Sequence, residues 1–435
     1  MENTHQETAT IALMPCGDLF EDFFDTIGVS FETFRTELTG SWMFNYINAL
    51  KLVDVQTVIF FVSGRVNEVL KFRHEPTGAT VCILPASAIH QTFRKITGWF
   101  VFPKFKLLSK IIKRLASSLD SYLVLPVALV KRELKQQNCC AILFQDYHNP
   151  SFDVCVFWGR MMQLPVFATF QGGSSPRSPL ELPTRLVALQ LCQGLIIPTQ
   201  SEIQRVHHKY RVPLKKVSRI FNPTDVTSWR KLNRETVRSE LDIPLESKVI
   251  IYHGRIEIHR KGLDVLLDAW QKICHRRPNQ LLRLFLVGTG TDAPALEQRI
   301  ASENLTNIVW VNEFVHDQNI IQRYLSAADV YTLPSRHEGF PVAPLEAMAC
   351  SLPVVATNVP GIPEILESGE ISGGLIVPRE NVEALAAALE SILDDEVWAK
   401  ELGRRARERV EQYFSFESIG QQLRNLLLNQ DLPNQ

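Results

Sequence analysis

Short apolar runs recur along the second half of the chain, and longer helix-like segments separate them. The runs are Lys248–His253, Arg283–Val287, Ile308–Val311, Val330–Leu333, Val354–Thr357 and Gly374–Pro378. The intervening helical patterns include Leu263–Ile273, Asp317–Ala327 and Leu345–Ala349. Continuous apolar runs of this length are typical of strands that are buried on both faces. Their alternation with helices predicts a parallel sheet that is covered by helices on both sides.

The first half shows the same alternation with less regular spacing. The predicted strands are Thr10–Pro15, Val55–Val62, Val81–Pro85, Cys140–Gln145, Val166–Phe170 and Gly194–Pro198. The predicted helices include Met43–Val53, Phe152–Met162 and Gln200–Tyr210. The pattern loosens into a polar stretch from about Phe221 to Pro244, which predicts an inter-domain linker. Because 435 residues exceed one ordinary core, we expect two doubly wound α/β domains.

Composition narrows the class of protein. The 45% hydrophobic and 21% charged residues are typical of a soluble globular chain, and the net charge of −1 argues against nucleic acid as a partner. No apolar run is long enough to span a membrane, and the N-terminus lacks the basic region of a secretory signal. Eight cysteines without CxxC spacing indicate reduced thiols. We therefore expect a cytoplasmic protein without a metal site.

The stretch from Tyr331 to Pro353 carries the most specific pattern of candidate chemistry. The polar loop Arg336–Phe340 follows a predicted strand, and Pro341 then opens a helical segment. Glu338 lies in the loop and Glu346 lies in the helix, so both carboxylates can reach one site. Carboxylates accept hydrogen bonds from hydroxyls, as on a sugar or a ribose. The alternative is that both are ordinary exposed charges.

Two cations follow the strand Lys248–His253. Arg255 comes directly after it, and Lys261 lies six residues further on at the start of a helix. Two fixed cations at a strand end can neutralise a diphosphate, although isolated basic residues in loops are common at protein surfaces. Gly288 ends the next strand, in a glycine-containing turn that carries little specificity alone.

Taken in order, these motifs resemble the nucleotide-sugar half of family 4 retaining glycosyltransferases. The resemblance rests on Gly254-Arg255, Lys261-Gly262, Gly288-Thr289-Gly290, Glu338-Gly339-Phe340-Pro341, Glu346 and Pro360-Gly361-Ile362-Pro363-Glu364. It is specific from about Lys248 to Pro378, and weaker but continuous through the first half. It implies a GT-B fold with two Rossmann-like domains facing across a cleft. The implied parts are an acceptor domain over 1–225, a nucleotide-sugar domain over 245–412 and a last helix over 413–435 that returns to the first domain.

The resemblance also implies residue roles. Arg255 and Lys261 would hold the donor diphosphate, with Gly288 on the same side. Glu346 would bind the ribose hydroxyls, Glu338 would face the transferred sugar, and the Gly339-Phe340 backbone would contact sugar hydroxyls.

The activity implied is transfer of a sugar from a nucleoside diphosphate sugar to an acceptor hydroxyl, with retention and without a metal. The donor is a substrate, so no cofactor is expected. A GT-B sugar-nucleotide epimerase and a non-catalytic nucleotide-sugar-binding protein are the alternatives.

The acceptor side departs further from the family pattern. The glycine loop that follows the first strand in many relatives is best matched by Gly40-Ser41, after an insertion. Asp146 and His148 follow the strand Cys140–Gln145, where relatives place a histidine. Either side chain could orient or deprotonate the acceptor hydroxyl, and a simple loop role for His148 is the alternative.

Residues 99–115 combine an apolar and a basic helical face. Leu107, Leu108, Ile111, Ile112 and Leu115 share one face, and Lys106, Lys110, Lys113 and Arg114 share the other, with aromatic residues just upstream. This pattern favours an interfacial helix on anionic lipid, at the inner face of a membrane. The alternative is an ordinary amphipathic helix that packs on its own sheet.

Overall fold

The computed structural model describes residues 8–15, 19–27, 29–39, 42–97, 116, 118–172 and 181–428. The chain divides into two compact units. One consists of Met1–Phe221 together with Gly420–Gln435, and the other of Asn222–Ile419.

The first unit is built on an eight-stranded sheet. Its strands are β1 (Thr10–Met14), β2 (Gln56–Ser63), β3 (Leu70–Arg73), β4 (Thr80–Pro85), β5 (Cys139–Gln145), β6 (Val166–Thr169), β7 (Gly194–Ile196) and β8 (Val217–Ser218). The spatial order is β3-β4-β2-β1-β5-β6-β7-β8. Only β3 runs antiparallel, against β4, and all other pairs are parallel.

Helices flank this sheet, as the buried strands require. In the described part of this unit the α-helices include Phe20–Ile27, Phe31–Thr36, Trp42–Lys51, Ala88–Thr97, Val127–Gln136, Pro150–Met161, Glu181–Leu191 and Gln200–Tyr210. A buried apolar cluster includes Ala12, Ile142 and Phe144 from the central strands and Phe152 and Val156 from the helix after β5. Burial of such side chains stabilises the fold by roughly 1.5–3 kcal/mol each.

The second unit has a six-stranded, fully parallel sheet. Its strands are β9 (Lys248–His253), β10 (Leu282–Val287), β11 (Ile308–Val311), β12 (Val330–Leu333), β13 (Val354–Thr357) and β14 (Gly374–Val377). The spatial order is β11-β10-β9-β12-β13-β14, which is the Rossmann order. The helices are Arg234–Glu240, Ile258–Lys261, Leu263–Arg276, Ala293–Ser302, Gln318–Ala327, Ala343–Ala349, Ile362–Ile365, Val382–Asp394 and Glu396–Tyr413.

The last helix, Phe416–Leu428, begins in the second unit and ends in the first. Within the first unit, Arg424 donates a hydrogen bond of 3.0 Å to the carbonyl of Val53. A Cβ on Gly420 would lie 2.3 Å from the carbonyl oxygen of Ala49, so only glycine allows the helix to approach this closely.

The strands predicted from apolar runs are confirmed, and four of them have the predicted ends: Lys248–His253, Ile308–Val311, Val330–Leu333 and Val354–Thr357.

The polar stretch from about Phe221 to Pro244 is not the linker that the sequence predicts. Its residues from Asn222 onward belong to the second unit, and Arg234–Glu240 within it is helical. Arg238 explains the difference, because its fully buried side chain donates to the Ala327 carbonyl at 2.9 Å and pairs with Asp329 at 3.0 Å.

The seven cysteines in the described part of the chain are all free thiols. Four are buried, while Cys139 and Cys274 are half-buried and Cys140 is exposed. Across the described residues, no helix combines the length and apolar character needed to cross a bilayer.

Candidate functional site

The site in the second unit lies where the strand order of its sheet reverses. Strands β9 and β12 are neighbours there, although they are first and fourth in the chain. Their parallel pairing brings the loop after His253 and the loop after Leu333 to the same edge. In open α/β sheets this crevice at the carboxyl ends is where ligands bind. The predicted residues from Arg255 to Lys261 and from Glu338 to Glu346 follow these two strands.

Glycines allow the backbone segments at this edge to approach each other closely. Gly288 has a φ of 133°, and a Cβ there would lie 2.2 Å from the carbonyl oxygen of Gly254. Gly262 has a φ of 64°, and a Cβ there would lie 2.0 Å from the carbonyl oxygen of Pro334. Any larger residue would push the loops apart, so these positions fix the shape of the crevice.

Lys261 and Glu338 form a largely buried ion pair across the two loops. The Lys261 ammonium lies 2.7 Å and 3.0 Å from the two carboxylate oxygens of Glu338. Their side chains are 17% and 6% exposed. The Ser335 hydroxyl donates a further hydrogen bond of 2.6 Å to Glu338 Oε1. A pair this buried is held in one geometry, because removing either partner would leave a charge without compensation.

Glu346 forms a second buried contact, with His253. Nε2 of His253 lies 2.7 Å from Oε2 of Glu346, and both side chains are almost completely buried. The His253 ring packs edge-on against Tyr331, with ring centroids 5.3 Å apart. Its Nδ1 is buried and has no hydrogen-bond partner among the described residues. His253 ends β9, and the sequence pattern predicts only a strand at this position.

The charges of Glu338 and Glu346 both affect the pKa of the buried Tyr331 hydroxyl. Burial, followed by the nearby Tyr252, Glu338 and Glu346, raises the pKa of Tyr331 well above its usual value. Burial and then the charge of Glu338 raise the pKa of Tyr252 in the same way. Tyr252 donates a hydrogen bond of 2.8 Å to the Arg255 carbonyl. Both phenols are therefore neutral, and Tyr252 holds the loop after β9 through this hydrogen bond.

The remaining predicted residues of this unit differ in exposure. The Arg255 side chain is 60% exposed and pairs with Glu257 at 3.0 Å. Phe340 is buried against Phe414, with ring centroids 6.1 Å apart. A Cβ on Gly361 would lie 3.0 Å from the Gly339 carbonyl oxygen, so the Pro360–Glu364 turn packs directly on the Gly339-Phe340 backbone. Lys261, Glu338 and Phe340 are fixed by their surroundings, whereas Arg255 is bound only by a surface ion pair.

The first unit has its own reversal of strand order, between β1 and β5. Asp146 and His148 follow β5 at that point, and both are buried. Asp146 has a φ of 84°, a conformation that non-glycine residues adopt rarely and often at functional sites. Oδ1 of Asp146 accepts hydrogen bonds of 3.0 Å from the backbone N–H and from Nδ1 of His148.

Arg205 occupies the other side of the His148 ring. Its Nη2 lies 2.8 Å from Nε2 of His148 and 2.9 Å from the Tyr147 hydroxyl, and it also bonds to Glu202. The Tyr147 hydroxyl donates to Glu202 as well. A guanidinium only donates, so Nε2 accepts and the proton of a neutral His148 lies on Nδ1. Both ring nitrogens are thus engaged, while Oδ2 of Asp146 accepts no hydrogen bond from the described residues.

Sequence reasoning missed five residues of these arrangements: His253, Ser335, Tyr147, Glu202 and Arg205. Ser335 and Tyr147 lie in the predicted site loops, so their nearness in sequence to Glu338 and to His148 could have identified them. Arg205 and Glu202 lie one turn apart on a helix distant in sequence, and no local pattern points to His148. Gly40 and Ser41, predicted on the acceptor side, and residues 99–115 lie outside the described residues. Within the described ranges, no group of three or more His, Cys, Asp or Glu side chains is arranged to hold a metal ion.

Part of the second unit matches a known family model. Residues 247–395 match the family model described as "Glycosyl transferases group 1". The match covers the second unit from β9 to the helix Val382–Asp394, and therefore includes the candidate site residues of this unit.

Curated relatives match over part of their length. D-inositol 3-phosphate glycosyltransferase of Corynebacterium glutamicum is 32% identical over 240 residues, which cover 53% of this chain and 56% of that protein. Alpha-maltose-1-phosphate synthase of Mycolicibacterium smegmatis is 33% identical over 222 residues, which cover 48% of this chain and 55% of that protein. The chain spans about half the length of the curated relatives it matches.

Solved structures match over almost the whole chain. Sucrose-phosphate synthase from Thermosynechococcus elongatus has a TM-score of 0.68 at 22% identity, and covers 96% of this chain and 98% of its own. Anabaena HepE in complex with UDP also has a TM-score of 0.68, at 15% identity, and covers 96% of this chain and 99% of its own. At these identities the likeness shows the fold, which is GT-B as the sequence predicts.

Proposed function

We infer that this chain, whose residues 247–395 carry the glycosyl transferases group 1 domain, moves a sugar from a nucleoside diphosphate sugar to an acceptor hydroxyl. One observation carries the proposal. At the order reversal of the second sheet, a buried Lys261–Glu338 pair and a buried His253–Glu346 pair lie at the two neighbouring strand ends. A cation for a diphosphate and two carboxylates for hydroxyl groups are the side chains that such a donor requires.

Bond cleavage places negative charge on the leaving diphosphate. Lys261 is fixed by Glu338 before the donor arrives, so its charge needs little reorganisation during the reaction. Arg255 supplies a second cation whose exposed side chain can turn towards a phosphate. Glu346 accepts hydrogen bonds from the ribose hydroxyls, and Glu338 and the Gly339-Phe340 backbone face the transferred sugar.

The proposal includes retention at the anomeric carbon and catalysis without a metal ion, as the family resemblance implies. The cations Arg255 and Lys261 provide positive charge at the diphosphate, which is the role a metal ion would otherwise serve.

On the acceptor side, Asp146 is better placed than His148 to receive a hydroxyl. His148 has both nitrogens engaged, whereas Oδ2 of Asp146 has unused capacity to accept a hydrogen bond. Two relatives are named for inositol 3-phosphate and for maltose-1-phosphate, so phosphorylated polyols and sugars are the first acceptors to test.

The epimerase alternative receives no support from the relatives described above, whose names denote a glycosyltransferase and synthases. A non-catalytic binding protein would not require the buried Lys261–Glu338 pair, whose burial carries a desolvation cost.

The membrane part of the proposal rests on the sequence of residues 99–115 alone. Their basic and apolar faces favour binding to anionic lipid. We expect the protein to float with vesicles that contain phosphatidylserine and to remain in the soluble fraction with phosphatidylcholine alone. Equal recovery from both vesicle types would contradict electrostatic docking.

The donor assignment is tested by thermal unfolding in the presence of UDP, GDP, ADP and their glucose conjugates. A ligand at 100 times its Kd stabilises the folded protein by about 2.7 kcal/mol. UDP is the first choice because HepE is solved in complex with it.

Lys261→Met should remove the thermal stabilisation that the bound nucleotide provides. Lys272→Met, which breaks only the surface pair with Glu383, should retain it. No shift with any of these nucleotides would contradict the proposal.

A further inference from the structure

His253 is the buried titratable group at the donor site that the proposed reaction does not use. It is the last residue of β9, the strand next to the order reversal, and its side chain is 6% exposed. The continuous apolar pattern of a strand buried on both faces would accept an apolar residue at this position. A histidine here introduces polar atoms that must be satisfied or that cost free energy.

The polar contacts of the ring are one-sided. Nε2 is 2.7 Å from Oε2 of Glu346, and Nδ1 is buried without a partner among the described residues. Because a carboxylate only accepts hydrogen bonds, Nε2 of His253 carries the ring proton and donates a hydrogen bond to Glu346. The single engaged nitrogen therefore points at a carboxylate, and the unengaged one loses its hydration without compensation.

Packing fixes the ring in this direction. Tyr331 lies edge-on against it at 5.3 Å, and the Tyr331 hydroxyl is 3.4 Å from the His253 carbonyl oxygen. Glu346 in turn is 9% exposed and lies on the helix Ala343–Ala349, after β12. The contact thus joins the end of one strand to the helix that follows its neighbour.

We propose that His253 is a positioning residue that holds one oxygen of Glu346 and so presents the other to the ribose hydroxyls of the donor. The inference rests on the proposed function, since it assigns Glu346 to the ribose. A carboxylate fixed at Oε2 has a defined direction for Oε1, so less side-chain entropy is lost when a hydroxyl binds. His253 would then set the preference of the site for ribonucleotides over 2′-deoxyribonucleotides.

The test compares the Kd of UDP with that of 2′-deoxy-UDP by isothermal titration calorimetry. We expect the wild-type protein to prefer UDP by roughly tenfold or more, as for a hydrogen bond to a charged group. His253→Phe should reduce the preference to about threefold or less through weaker UDP binding. His253→Gln keeps an N–H donor at similar reach and should restore most of the preference.

Tyr331→Phe is the matched control, because it preserves the packing against His253 and removes only the hydroxyl. It should leave the ratio of the two Kd values unchanged. If His253→Phe binds UDP but keeps the wild-type ratio, the positioning role is wrong while the proposed function stands. If the wild-type protein binds neither nucleotide, and GDP and ADP also fail, the proposed function itself is contradicted. If GDP or ADP binds instead, the same ratio is measured with that nucleotide and its 2′-deoxy form.

Discussion

At the scale of single residues, the donor site depends on charges that are buried in pairs. Lys261 and Glu338 lie 77 positions apart in sequence and meet because β9 and β12 are neighbours in the sheet. Glu346 meets His253 for the same reason, 93 positions away. The residue types were recognisable in the sequence, but their partners depend on the order of the strands.

Lys261→Met should lower turnover by roughly 10²-fold or more, because it removes a fixed charge from the leaving diphosphate. It should also destabilise the protein by about 3 kcal/mol, since Glu338 would remain buried without its cation. The double variant Lys261→Met/Glu338→Gln should recover most of this stability while staying inactive. Denaturant unfolding of the three proteins, with kinetics on the same samples, measures both effects. Turnover within about threefold of wild type would contradict the role of Lys261.

The neutral His148 ring should carry its proton on Nδ1, because Arg205 donates a hydrogen bond to Nε2. Nitrogen-15 NMR of histidine-labelled protein reports the tautomer, and His148→Gln identifies the signal among the 11 histidines. Arg205→Met should free Nε2 and change the nitrogen shifts of this ring. A proton found on Nε2 of the wild-type ring would show that His148 is not held between Asp146 and Arg205.

At the scale of elements, close backbone approaches at strand ends determine the shape of the donor crevice. The loop after β10 contacts the loop after β9 through Gly288, and the turn at Gly262 contacts Pro334 after β12. These contacts require glycine, because a Cβ at either position would overlap a backbone carbonyl oxygen.

Gly288→Ala should weaken donor binding and lower the free energy of unfolding. Its Cβ would lie 2.2 Å from the Gly254 carbonyl oxygen, and its φ of 133° is unfavourable for alanine. Gly369→Ala is the control, since its φ of 55° is also positive but no atom lies within 4 Å of the added Cβ. We expect the control to cost about 1 kcal/mol and to leave nucleotide affinity unchanged. Equal affinity in the two variants would show that the Gly288–Gly254 approach does not shape the site.

His74 ties the residues before β2 to the sheet of the first unit. It is fully buried, lies parallel to the Phe44 ring with centroids 4.4 Å apart, and bonds to Thr77 at 2.8 Å and to the Leu38 carbonyl at 3.1 Å. Burial lowers the pKa of His74 to about 4. The folded protein therefore holds a neutral ring at pH values where the unfolded chain, with an ordinary pKa near 6.5, binds a proton.

This difference makes stability depend on pH. The stability that the neutral His74 contributes is complete above about pH 6.5. It is lost as the pH falls towards 4, because His74 takes up its proton at a higher pH in the unfolded chain than in the folded protein. The stability advantage of wild type over His74→Phe should shrink by about 2 kcal/mol between pH 7 and pH 5. Urea unfolding of both proteins at pH 7 and at pH 5 measures this difference in the free energy of unfolding. A constant difference would mean that His74 is not buried in the neutral form.

At the scale of the whole molecule, the candidate residues of the two units lie at equivalent places in their sheets. The strand order reverses between β1 and β5 in the first unit and between β9 and β12 in the second. The candidate residues follow β5 and β12. For the first unit these are Asp146 and His148, and for the second they are Glu338 and Glu346. The repeated arrangement explains why the candidate residues lie at strand ends in both units, since doubly wound sheets bind ligands there.

The sequence predicted most of this organisation because buried parallel strands are continuous apolar runs. It missed β3, Leu70–Arg73, whose residues are largely exposed and include two basic side chains. An edge strand that is not buried lacks the pattern on which the prediction depends. It also missed His253, since the last residue of a strand gives no local indication of the helix that will lie above it.

The most direct test of the donor site is a crystal structure with a bound nucleoside diphosphate, beginning with UDP. We predict the diphosphate beside Lys261 and the ribose hydroxyls within hydrogen-bond distance of Glu346, at the strand ends of β9 and β12. A nucleotide bound elsewhere, with Lys261 still paired only to Glu338 and Glu346 only to His253, would contradict the account.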